Sequence, residues 1–172
     1  MGSTGMFLVA RGGPELAAWA SANADGAECD GRPLGAEWWF CQVHTHEIFS
    51  PADFAAGMVA ETSAPALAGY VVDNDFAEVS CDSPAGVRHT FLLDPDAALD
   101  SFMPWDPPPA EPPAVEDTVA ELMRWSAECG LSAVPAAIAA AIPIRPGPFG
   151  EGVDGLLSAL GVPGVSCEVP AE

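Results

Sequence analysis

The stretch "ALAGYVVDNDFAEVSCDSPAGVRHTFLL", Ala66 to Leu93, decides the fold of this 172-residue chain. Its three runs of apolar and β-branched residues are separated by "DND" and "DSPAG". In the middle run Phe76, Glu78 and Ser80 alternate with Ala77, Val79 and Cys81, the period-2 pattern of a strand with two different faces. Asp, Asn, Gly and Pro supply the turn geometries between such runs. Connections this short leave only neighbouring antiparallel strands. The segment is therefore expected to be an antiparallel meander.

The same patterns extend towards the N-terminus. "WWFCQVHTHEIFSP", Trp38 to Pro51, alternates from Cys41 onward and predicts a strand over 38–47. Ser50 and Pro51 then stand as N-cap and first helical residue, with Asp53 in the first turn, so a helix follows through "PADFAAGMVAETS". "MFLVA" predicts a short first strand ended by Gly12 and Gly13. "PELAAWASANA" predicts a short helix opened by Pro14, and "DGAECDGRPLG" reads as a loop.

Beyond the meander, "DPDAALDSF" suggests one helical turn. Six of the ten residues from Pro104 to Pro113 are proline, a composition that forms an extended, semi-rigid spacer or, alternatively, a docking peptide. The spacer is the favoured reading. "AVEDTVAELMRWSAECG" follows with Val115, Val119, Leu122 and Trp125 at helical spacing and Gly130 as the stop. Shorter helices are expected over Pro135–Ile142 and Val153–Leu160. The fold class expected is α+β, with an antiparallel sheet of about four or five strands packed against helices. Residues 1–103 would form the core and 104–113 the linker, and 114–172 a helical segment docked on the core, being too short to stand alone.

Charge is the least ordinary property. The chain has 25 acidic residues, five arginines and no lysine, for a formal net charge of −20. That disfavours nucleic acid and anionic membrane surfaces, both of which need a basic footprint, and favours a basic protein partner drawn in by charge. A compositional habit of a GC-rich, salt-tolerant host would also produce it. The N-terminus shows no secretory signal and no apolar run approaches the roughly 20 residues of a membrane span. "MGSTG" is read as an extension before Met6. The five cysteines form no C-x-x-C pair, so the expectation is a cytoplasmic protein with reduced thiols.

Chemistry-bearing motifs are sparse. His44 and His46 share one strand face, and His89 on the last meander strand is the natural third ligand of a metal site. The competing reading is a polar strand surface, and it is preferred. Ser80 or Cys81 near His89 would be a chance dyad without a nucleophile signature. Asp73 and Asp75 flank Asn74, but the calcium-loop pattern is incomplete and turn formation explains them. Adjacent Trp38 and Trp39 must point to opposite sides of a strand. One is then an exposed anchor, unless helices cover both faces.

The function expected is a non-enzymatic acidic binding module, an inhibitor of the immunity, antitoxin or nucleic-acid-mimic kind, needing no cofactor. Asp73, Asp75, Glu78 and Asp82 would steer the partner and Trp38 or Trp39 would anchor it. The alternative is a small metal-dependent enzyme or metal-binding protein using His44, His46 and His89.

Overall fold

The computed structural model describes residues 4–102, 111–147 and 150–165. In chain order the elements are β1 (Gly5–Arg11), α1 (Glu15–Asn23), β2 (Glu28–Leu34), β3 (Trp38–His44), α2 (Pro51–Thr62), β4 (Ala66–Val72), β5 (Phe76–Asp82), β6 (Arg88–Leu93), α3 (Pro95–Phe102), α4 (Val115–Glu128), α5 (Pro135–Ala141) and α6 (Glu151–Ala159). The strands form one sheet in the order β2-β3-β1-β4-β5-β6, with every neighbouring pair antiparallel. The class is α+β, as the patterning requires.

The meander is closed as its turn residues dictate. Asp73 and Asn74 take left-handed φ values of 50° and 64°, which short polar side chains tolerate best among non-glycine residues. The Asp75 N–H donates to the Val72 carbonyl at 2.9 Å. Ser80 and Thr90, opposite each other in the β5–β6 register, are joined through their hydroxyls at 2.7 Å.

Alternation along the strands builds two cores. One face of the sheet buries Met6, Leu8, Cys41, Val43, Ala68 and Tyr70 with Leu16 of α1 and Phe54 and Met58 of α2. The other buries Phe7, Val9, Trp38, Leu67, Val79 and Phe91 with Trp125 of α4, Ile138 of α5 and Leu156 and Leu157 of α6. Helices therefore cover both faces. Each fully buried side chain of this size contributes about 1.5–3 kcal/mol relative to exposure. On the second face the layers are also hydrogen-bonded together. Trp125 Nε1 donates to the Asp82 carbonyl at 3.1 Å, and Ser126 Oγ donates to the Leu160 carbonyl at 3.1 Å. The proline run from 104 falls mainly outside the described residues.

The sheet has six strands rather than the four or five expected, because Glu28–Leu34, read as a loop, is the edge strand β2. Its register on β3 is continuous from Glu28 opposite His44 to Leu34 opposite Trp38. Five of its seven residues are exposed, so no burial alternation marks it. An edge strand also tolerates Pro33, because alternate N–H positions along it face no partner strand. Gly31 has its own reason: a Cβ there would lie 2.3 Å from Trp39 Nε1, so the indole of β3 lies across it.

Two boundaries differ as well. β3 stops at His44, short of Glu47, where the Thr45 hydroxyl accepts the Glu47 N–H at 3.0 Å and turns the chain out of the ladder. Residues 95–102 form the eight-residue helix α3 rather than one turn, started by Asp94 Oδ1 accepting the Ala97 N–H at 3.1 Å.

Candidate functional site

The registers bring one set of loops to a common end of the sheet. Met6 lies opposite both Val43 and Tyr70, Glu28 opposite His44, and Val72 opposite Phe76. The start of β1, the end of β3, the start of β2 and the β4–β5 turn are therefore neighbours. This end carries Glu28, Asp30, Glu47, Asp73 and Asp75, together with the loop that leaves β3.

That loop also presents Ile48, which is 84% exposed. Local geometry explains why. Phe49 turns inward and packs on Phe54 with ring centroids 5.6 Å apart, an apolar staple between the residue before the cap and the fourth helical position. Ser50 caps the helix by accepting the Asp53 N–H at 3.3 Å. With Phe49 committed to the core, its neighbour Ile48 faces water.

The cations are all engaged within the molecule. Arg11 donates to the Cys129 carbonyl and lies over the Trp38 ring, 5.4 Å from its centroid. Arg32 reaches Asp154 at 3.3 Å, Arg88 reaches Asp82 at 3.0 Å, and Arg124 reaches Glu121 at 3.0 Å. Arg145 pairs with Asp75 at 3.3 Å and Asp94 at 3.4 Å. The negative surface is thus opposed by no arginine that lacks an internal partner.

The residues singled out from sequence separate into several environments. Trp38 is buried against Trp125, ring centroids 6.0 Å apart, so it belongs to the core. Trp39 is half-buried over Gly31. Asp82 is buried, accepting the Ser83 N–H at 2.7 Å and the Arg88 Nε–H at 3.0 Å. Asp73 meets Thr4 Oγ1 at 3.4 Å, and Asp75 is engaged by Arg145. Glu78 is exposed on β5.

His44 bonds Asp30 at 2.8 Å, and His46 is exposed beyond the strand. His89 lies on β6, with β1, β4 and β5 between it and β3, which ends at His44. It bonds the Thr118 hydroxyl at 2.9 Å and stacks on Phe91. Burial lowers its pKa, against the opposing pull of Glu121 and Asp117. The three histidines therefore do not converge, and among the described residues no group of three or more His, Cys, Asp or Glu is arranged to hold a metal ion. Cys81 lies opposite His89, but burial pushes its thiol up to about 12, which leaves it un-ionised and a poor nucleophile at neutral pH.

No protein-family model, curated protein or solved structure matches the chain. Function rests on the chemistry of the site alone.

The same end of the sheet also holds a pocket of about 200 Å³ between the strands and the start of α6. Phe7 and Phe40 form one wall, their rings nearly parallel at 8° with centroids 6.0 Å apart. Gly69 makes room for the Phe7 ring, since a Cβ there would come within 2.3 Å of it. Gln42, Asn74, Arg32 and Asp154 supply the polar lining. The Arg32 guanidinium sits 4.8 Å from the Phe40 centroid while it pairs with Asp154. Burial, with a smaller push from the Glu151 charge, raises the Asp154 pKa, and Arg32 offsets the rise only in part. Among the described residues no helix is long and apolar enough to cross a membrane.

None of Ile48, Arg32, Phe40 and Asp154 carries a motif. The available signals were weak ones: a large apolar residue directly after an acidic strand end, and an arginine in an otherwise acidic turn-rich stretch.

Proposed function

We propose that the protein is a non-enzymatic acidic module that captures a basic protein partner at the end of the sheet bearing Glu28, Asp30, Glu47 and Ile48. The observation that carries this reading is the gathering of exposed carboxylates from β2 and from the loop after β3 at one end, in a molecule whose five arginines are all internally engaged. The formal charge of −20 raises the local concentration of a cationic partner and speeds encounter. Ile48 then supplies what charge alone does not, an apolar contact that loses water on binding and slows dissociation. Trp39 lies on the neighbouring strand but is largely committed to Gly31, so Ile48 takes the anchoring role.

The test begins with capture from lysate at low salt and identification of the retained protein, followed by measurement of its one-to-one binding. Neutralising Glu28, Asp30 and Glu47 together is expected to lower the association rate by roughly tenfold at low ionic strength. Ile48→Ala is expected to act mainly on the dissociation rate. Binding that never saturates at one-to-one, or that ignores both salt and the triple substitution, would refute the reading.

A further inference from the structure

We infer that the pocket between the sheet and the start of α6 is a subsite for one arginine side chain of the basic partner, which stacks on Phe40 and pairs with Asp154 in the place Arg32 now holds. The inference deepens the proposed capture function and rests on it.

The molecule itself displays the chemistry. Arg32 stacks over Phe40 with its guanidinium carbon 4.8 Å from the ring centroid and reaches Asp154 Oδ1 at 3.3 Å. An aromatic face beside a carboxylate suits a flat, delocalised cation better than the compact, strongly hydrated ammonium of lysine. The internal occupant is weakly held. Its side chain is 48% exposed and projects from the edge strand β2, and ion pairs of that exposure contribute little. Arg32 can therefore swing into water without disturbing the core.

With Arg32 in place the pocket already offers about 200 Å³, larger than the roughly 150 Å³ that accommodates a benzene ring. The end of an arginine side chain fits that space. Gln42 offers a side-chain carbonyl along the lining. Burial and the Glu151 charge raise the Asp154 pKa against the opposing pull of Arg32, so a cation in close contact with the carboxylate favours its ionised form. The protein's own sign of charge brings such a group to this end.

The test uses the full chain, with N-acetyl-L-arginine amide and N-acetyl-L-lysine amide as probes, followed by amide chemical shifts. The arginine amide is expected to shift the Gln42 and Gly150 signals saturably, and the lysine amide to bind several-fold more weakly. Arg32→Ala removes the internal competitor and is expected to tighten the arginine amide about two- to fivefold, the scale of an exposed ion pair. Arg124→Ala removes the same charge from an exposed pair on α4 that does not line the pocket, and is expected to leave the affinity unchanged. Asp154→Asn, checked for a native spectrum, is expected to abolish saturable shifts.

Weaker or unchanged binding in Arg32→Ala, an equal gain in Arg124→Ala, or equal response to both probes would overturn the inference. Capture of the partner that persists with full affinity in Asp154→Asn would sink the subsite and leave the capture function standing. Failure to find any one-to-one basic partner would sink that function, while the probe titrations would still judge the pocket.

Discussion

At the residue scale, Trp125 holds more of the structure together than any feature of its sequence neighbourhood suggests. It is fully buried, packs on Trp38, and donates its indole N–H to the Asp82 carbonyl at 3.1 Å. Asp82 in turn fastens the Ser83 backbone and Arg88, so an acid expected to meet a partner is engaged inside the fold. Trp125→Phe keeps an aromatic ring but removes the donor and part of the volume. Losing that hydrogen bond costs about 1 kcal/mol, and the cavity term adds to it. A fall in unfolding free energy of about 2–4 kcal/mol is expected by urea titration, with little change in the slope against denaturant. The helical spacing of Val119, Leu122 and Trp125 made the burial legible. The hydrogen bond was not, because its acceptor lies 43 residues away on another element.

At the element scale, what could be read from sequence depended on whether an element carries its own signal. The helix α2 does. Ser50, Pro51 and Asp53 mark its start, and the Ser50 hydroxyl accepts the Asp53 N–H. Ser50→Ala removes that acceptor at an exposed cap, and a loss of about 1 kcal/mol is expected. Ser50→Gly should lose only a few tenths, and thermal unfolding of the two variants checks the order. No loss in Ser50→Ala would mean that the hydroxyl bond contributes nothing. Strand β2 carries no such signal, since what makes it a strand is the ladder to β3 rather than its own alternation. Gly31 and Pro33 look like loop residues and are tolerated for edge-specific reasons. The candidate site was hidden in the same way: the β2–β3 register sets Arg32 opposite Phe40, and only the packing of α6 on that face adds Asp154. Composition announced the acidity. It did not say at which end of the sheet the acids would gather.

At the scale of the whole molecule, the formal charge of −20 sets two opposite responses to salt. Within the folded protein the exposed carboxylates repel one another, because each arginine is already close to a specific partner and covers only a small part of the surface. Raising NaCl from about 0.01 M to about 1 M shortens the screening length from about 30 Å to about 3 Å, so the repulsion that compactness imposes is largely removed. Melting temperature is expected to rise across that range, by about 2–4 °C for each kcal/mol recovered in a chain of this size. A variant with Glu28, Asp30 and Glu47 neutralised should start higher at low salt and climb less. Binding of a basic partner must respond the other way, since the same screening weakens attraction between unlike charges. A protein that becomes more stable with salt while its complex becomes weaker uses its acidity for recognition at a cost to its own fold. Were the melting temperature flat across the range, the carboxylates would not repel strongly enough to act as a field, and capture would have to rest on Ile48 and the pocket instead.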